Sequence, residues 1–158
     1  MWSRIRRKPF MMFGIFVIGI FTMLALLAYV IIPDDTPNAN FQMVEIPLKK
    51  PGYRIQVFSI ETSKTNQSWL EHWIFGNAKQ ITAVAYDSVS FNKSSAIFYT
   101  PLGYQKIIPL DTIRTNLNEY VKEHTHSQRF LFGTDKFGRD VLSRLILGIR
   151  ISLFAGFM

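Results

Sequence analysis

From Phe10 to Ile32 the chain runs 23 residues without a charge, FMMFGIFVIGIFTMLALLAYVII, and nothing else in it restricts the fold as much. As a helix rising about 1.5 Å per residue it reaches about 34 Å, enough to cross a hydrocarbon core of about 30 Å with some tilt. A helix is required, because backbone amides in lipid must be bonded within the segment. Gly14, Gly19 and Thr22 are tolerated there and offer a stripe for close packing. Pro33, Asp34 and Asp35 end the run. Arg4, Arg6, Arg7 and Lys8 precede it, and this basic cluster predicts a cytoplasmic N-terminus, with the chain beyond Ile32 on the outer side. A cleaved secretory signal shares the basic start, but has an apolar stretch of about 7–15 residues and a small-x-small cleavage site. The run is longer and no such site follows, so the expectation is an uncleaved anchor.

The charge balance of +7 rests on 18 Lys and Arg against 11 Asp and Glu among 158 residues. Without the four cations at the start it is only +3, and no basic run interleaved with aromatics follows, which sets nucleic acid aside. With no cysteine, disulfide scaffolds, Cys-type zinc sites, thiol nucleophiles and iron–sulfur clusters are excluded.

About a hundred residues after Asp34 have an ordinary polar–apolar mixture, enough for a modest core. Phe41 to Ile46, Tyr53 to Ile60, Ile81 to Phe91, Ala96 to Thr100 and Lys106 to Leu110 are rich in β-branched and aromatic residues and predict four or five strands. Alternation places Tyr53, Ile55 and Val57 on one face of a half-buried strand. Pro101-Leu102-Gly103 reads as a turn. Ser68 to Phe75 and Asp111 to His124 carry helical spacing, with Asp111 standing where an N-cap belongs. The fold class is α+β.

Chemistry-bearing groups are few. His124 and His126 with adjacent Glu123 offer donors for zinc, but they fall at the end of a predicted helix, where imidazoles satisfy free carbonyls and favour the dipole. The helical reading is favoured, and no metal site is assigned. Paired carboxylates, a phosphate-cradling glycine loop and a G-x-S-x-G serine are absent from the sequence, so no catalytic or cofactor-binding residue is named and the chain is not read as an enzyme. Trp69 and Trp73 at helical spacing are expected in the core, and Trp2 at an interface.

The last stretch, FLFGTDKFGRDVLSRLILGIRISLFAGFM, differs in kind. Thr134 or Asp135 is expected to cap an amphipathic helix with Val141, Leu142, Leu145, Ile146 and Ile149 on one side and Arg139, Ser143 and Arg144 elsewhere. Asp135–Arg139 and Asp140–Arg144 are spaced i,i+4 with the acid first. The apolar run after Arg150 is too short to cross a bilayer, and is expected to be the cut start of a second spanning helix.

Gly133-Thr134-Asp135-x-x-Gly138-Arg139-Asp140-Val141-Leu142-Ser143-Arg144, followed by Gly148-x-Arg150-x-Ser152-Leu153, resembles the segment before the second transmembrane helix in permease subunits of dipeptide, oligopeptide and nickel ABC importers, specifically the second of their two permeases. The start, a basic tail and one span, is similar in layout. The resemblance implies a transmembrane permease subunit in the bacterial inner membrane, with residues 33–150 extracytoplasmic. It also implies a second permease, two cytoplasmic ATPases and an external substrate-binding protein as partners, with no cofactor. The expected division is a cytoplasmic tail over 1–9, a transmembrane helix over 10–32, an extracytoplasmic α+β insertion over 33–132, an interfacial motif helix over 133–150 and a truncated second span over 151–158. Gly133, Thr134, Asp135, Gly138, Arg139, Asp140, Ser143, Arg144, Gly148 and Arg150 are the motif residues, expected to be structural or gating. Asp135, Arg139, Asp140 and Arg144 would be ties near an external gate, and Gly138 and Gly148 would allow turns or close helix approach. Such a fragment would not transport alone. The rival reading is a signal-anchored external domain that binds a partner or ligand.

Overall fold

The computed structural model describes residues 9–63, 67–78, 80–92, 95–109 and 117–158. The apolar run forms helix α1, Pro9–Leu26, then after a one-residue interruption at Leu27 the short α2, Ala28–Ile31. Val30 and Ile31 N–H both donate to the Leu27 carbonyl, so the chain keeps its course through the break. Among the described residues α1 is the one helix long and apolar enough to cross a membrane. Phe10, Phe13, Phe16 and Met23 face outward, which a helix buried in a water-soluble core would not allow.

The middle folds into two open three-stranded antiparallel sheets. β1 (Tyr53–Ser63) pairs with β2 (Gln80–Tyr86) on one side and β6 (Thr125–Phe130) on the other. β4 (Ser95–Tyr99) lies between β3 (Ser88–Asn92) and β5 (Gln105–Pro109). The predicted single strand Ile81–Phe91 is therefore two. The chain bends at Asp87, whose N–H donates to the Tyr99 carbonyl (2.9 Å), and passes from one sheet to the other. Thr100, Gly103 and Tyr104 close the expected turn between β4 and β5, with Gly103 at φ +86.

Three buried clusters follow. Phe58, Val84, Tyr86, Ala96 and Phe98 join the two sheets, and Val121 of helix α4 (Leu117–Glu123) covers them. Phe58 stacks on Phe98 at 4.8 Å between centroids, and Tyr86 meets Phe98 edge-on at 5.0 Å. On the other face of the first sheet, Ile55, Val57, Ala85 and Phe130 pack against Met43 and Ile46. The alternation of Tyr53, Ile55 and Val57 is thus real, and Phe58 is buried on the opposite face because the second sheet covers it there. The predicted strand Phe41–Ile46 is an irregular segment instead: its apolar side chains cap a sheet face, and its backbone serves the motif described below. In the third cluster Ala28, Tyr29, Ile32 and Ala39 meet Ile146 and Leu147 of helix α5 (Val141–Phe157).

Helix α3 (Trp69–Phe75) begins at Ser68 with a reciprocal capping box, Glu71 reaching back to the Ser68 N–H (3.1 Å). The predicted helix Asp111 to His124 is present as α4 in its second half, while Asp111 and Ile113 lie outside the described residues. β6 was not predicted. Its pattern of one buried residue, Phe130, gives no alternation to read.

Candidate functional site

The motif folds as a tight loop at the point where the apolar helix ends and the domain begins. Thr134 and Asp140 form an isolated antiparallel bridge, and Asp135 N–H donates to the Arg139 carbonyl (3.1 Å). Inside the loop, Asp135 Oδ1 accepts from the N–H groups of Phe137 (2.8 Å) and Arg139 (3.0 Å). Its Oδ2 accepts from Arg139 Nε at 2.8 Å and meets Nη2 at 2.7 Å, so the guanidinium grips one carboxylate oxygen with two nitrogens. Burial works to raise the Asp135 pKa, but the Arg139 side chain, the two amides and the guanidinium charge outweigh it, so the carboxyl sits below the ordinary range. Arg139 Nη1 also donates to Asn40 Oδ1 (3.0 Å), and its guanidinium lies 4.7 Å from the Phe137 ring centroid.

Two glycines set the loop against the irregular segment. Gly133 has φ +75 and Gly138 φ +73, a region open to glycine at little cost. A Cβ on Gly133 would run into the Lys49 carbonyl oxygen, and one on Gly138 into that of Met43. Thr134 completes the seam: its Oγ1 donates to the Ile46 carbonyl and accepts from Lys49 N–H (2.9 Å), while Leu48 N–H donates to the Asp135 carbonyl (3.0 Å).

The second half of the motif starts α5. Asp140, not Thr134 or Asp135, is its N-cap, with Oδ2 accepting from Ser143 N–H at 2.8 Å and from the Ser143 hydroxyl. Asp140 Oδ1 is buried without a hydrogen-bond partner. The expected Asp140–Arg144 pair is not formed, because capping orients the carboxylate along the helix axis toward the free amides. Arg144 instead comes within 3.9 Å of Asp135 Oδ2. Ser143, expected away from the apolar side, is fully buried, whereas Leu145 is more than half exposed. The buried side of α5 is Ser143, Ile146 and Leu147, turned toward Ala28, Tyr29 and Ile32.

That orientation ties the motif to the end of the apolar run. Asp34 N–H donates to Ser143 Oγ (3.1 Å), giving a chain from the Asp34 amide through the Ser143 hydroxyl to the Asp140 carboxylate. Asp34 itself accepts from Thr36 N–H (3.1 Å), Thr36 Oγ1 (2.6 Å) and Phe41 N–H (3.1 Å). Burial pushes its pKa up despite these bonds, and neighbouring Asp35 adds to the rise. Within this chain Gly14, Gly19 and Gly148 have open space where a Cβ would go. Arg150 Nη1 reaches the Trp73 carbonyl (3.3 Å) and its guanidinium lies over the Tyr29 ring at 5.4 Å. Arg4, Arg6, Arg7 and Lys8, with Trp2, lie outside the described residues.

The histidines separate. His124 Nδ1 is 2.9 Å from the Tyr120 carbonyl at the end of α4, as the helical reading expects. His126 belongs instead to β6, opposite Val57, because the chain reverses at His124 to pair with β1. No cluster of three metal-ligating side chains occurs among the described residues. Trp69 and Trp73 are not core residues: α3 buries none of its side chains. Sequence reasoning missed Asp34, Asn40 and the backbone of Met43 to Lys49 as partners of the motif. No local pattern links residues some ninety positions apart, and the one available signal was the polar Asp34-Asp35 pair at the end of an apolar run.

No family model matches the chain, and no solved structure matches it. Among curated proteins, it is similar to the dipeptide transport system permease protein DppC of Haemophilus influenzae, with 66% identity over 29 residues. The match covers 18% of this chain and 10% of the length of that permease.

Proposed function

We propose that this chain supplies the membrane anchor, an external α+β domain and the motif helix of a transmembrane permease subunit in an ABC-type importer for peptides or nickel-like solutes. The 66% identity with a dipeptide permease over 29 residues carries the reading. The geometry supports it through one feature: the motif's charged groups are spent on the fold, at the junction of anchor, domain and α5. Asp135, Arg139 and Asp140 are then structural ties near the external end of the path and do not contact substrate. Residues 1–9 are cytoplasmic, 10–32 span, 33–132 form the external domain, and α5 carries the chain toward a second crossing. The partners are a second permease, two ATPases and a binding protein, and a two-state gate formed by the assembly would be driven by their differential affinities.

Deletion of the gene in its host, followed by uptake of a labelled dipeptide and of nickel, tests the function. Uptake of one solute should fall and return with the wild-type gene, and an ATPase should co-purify with the tagged protein from host membranes. Unchanged uptake of both, with no ATPase recovered, would leave the anchored interaction domain as the better reading.

A further inference from the structure

The apolar stripe of α3 has no role in that proposal. Trp69, Leu70, Trp73 and Ile74 share one side of the helix, with Glu71 and His72 turned away. None of the four is buried, and Trp69 is 74% exposed. An exposed stripe of two tryptophans and two aliphatic residues calls for a cover.

Its position identifies the cover. Gly76, just past α3, has φ +82, and a Cβ there would lie 2.7 Å from both the Tyr29 ring and the Asp35 carbonyl oxygen. Asn77 N–H donates to the Asp35 carbonyl (2.7 Å), and His72 Nε2 lies 3.4 Å from Asp35 Oδ2. These contacts fix α3 where the chain leaves the apolar helix. Tyr29 lies twenty residues beyond Pro9, about 30 Å along a helix, the thickness of the hydrocarbon core. A groove of about 470 Å³ between α1, α3 and α5, lined by Leu26, Tyr29, Trp73, Ile74, Arg150 and Phe154, continues the outward-facing apolar surface of α1. At its rim Arg150 Nη1 donates to the Trp73 backbone carbonyl and its guanidinium lies over the Tyr29 ring, a combination suited to the headgroup level, where aromatic rings meet both media and a guanidinium finds phosphate.

We propose that α3 is a second membrane contact, lying in the headgroup region of the leaflet on the domain's side, with Trp69, Leu70, Trp73 and Ile74 toward the acyl chains. Two attachments then hold the domain to the bilayer: the span fixes its position, and α3 fixes its tilt. The inference rests on the spanning role of α1, not on transport.

The full chain carrying Trp2→Phe and Trp73→Phe, reconstituted in phosphatidylcholine vesicles, leaves Trp69 as the one tryptophan. Its fluorescence should be quenched by lipid brominated near the glycerol end of the acyl chain, less by lipid brominated near the methyl end, and should be shielded from iodide. Strong iodide quenching without a bromolipid effect overturns the proposal, as does shielding from both, which would mean that protein covers the stripe. A nitroxide on Leu70→Cys, in a chain otherwise free of cysteine and with all tryptophans intact, gives an independent reading. It should collide more with oxygen than with a water-soluble nickel chelate, and the reverse overturns the proposal. Retention through an alkaline wash is scored separately. A stripped chain removes the anchor and this inference together, whereas a retained chain with iodide-accessible Trp69 removes this inference alone.

Discussion

Asp135 shows how much one side chain contributes when its acceptors are all used. Oδ1 takes two backbone amides and Oδ2 two nitrogens of one guanidinium. Exchanging the partners, Asp135→Arg with Arg139→Asp, should therefore fail to restore thermal stability in detergent. The exchanged pair recovers the charges but leaves the Phe137 and Arg139 amides without a carboxylate. Asp135→Ala should cost about 2–3 kcal/mol, the scale for hydrogen bonds to a charged group, measured as a lowered midpoint of unfolding. Gly138→Ala should cost about 1–2 kcal/mol from the positive φ alone, and the collision with the Met43 carbonyl adds to it. The two shifted acids act oppositely with pH. Asp135, depressed in the fold, contributes stability that is complete above its unfolded pKa of about 3.9 and is lost as pH falls through the folded value. Asp34, raised in the fold, binds its proton more tightly when folded, so stability declines as pH rises from about 3.9 through its folded value. Unfolding midpoints across pH 3–6 should show that Asp34→Asn abolishes the gain on acidification toward about pH 4, and Asp135→Asn the loss below it.

Among the elements, α5 depends most on its first turn. Asp140→Ala removes the cap and should cost about 0.5–2 kcal/mol. Ser143→Ala keeps the cap's backbone bond but leaves the buried Asp34 amide unpaired, a penalty of about 1–3 kcal/mol. Helical content by circular dichroism separates them: the first variant should fray α5, and the second should lower stability with the helix intact. The strands were legible where composition and alternation coincided, as in Tyr53 to Val57. β6 was not, because THSQRF has neither, and it forms by pairing with β1 from Tyr53↔Phe130 to Phe58↔Thr125. The same pairing placed His126 in a strand. The spacing of Trp69 and Trp73 points to a core face and fails there, because helical spacing reports a face and says nothing about its neighbour.

For the whole molecule, α5 runs antiparallel to α1. Its start meets Asp34, its middle Ala28 and Tyr29, and Ile149, Ser152 and Leu153 lie beside Ile18 and Phe21. A cysteine pair at Ile18 and Ser152 should be joined by a short bismaleimide in membranes, whereas a pair at Ile18 and Ser143 should not. Equal yields from both pairs would contradict the antiparallel arrangement. The absence of native cysteine makes the measurement clean.

The sequence alone determined that one segment suits a membrane, since twenty-odd consecutive apolar side chains have a favourable free energy only in lipid or a core. It also marked the α+β class of the middle and the residues of the motif, because these are properties of composition and local order. Tertiary structure decided what the motif touches. The seam from Met43 to Lys49 and the Asp34–Ser143 bond join residues that no local periodicity relates, and tertiary packing is what leaves the helical stripe of α3 exposed. The seam and that bond pair backbone amides and carbonyls that the end of the apolar run would otherwise leave unpartnered.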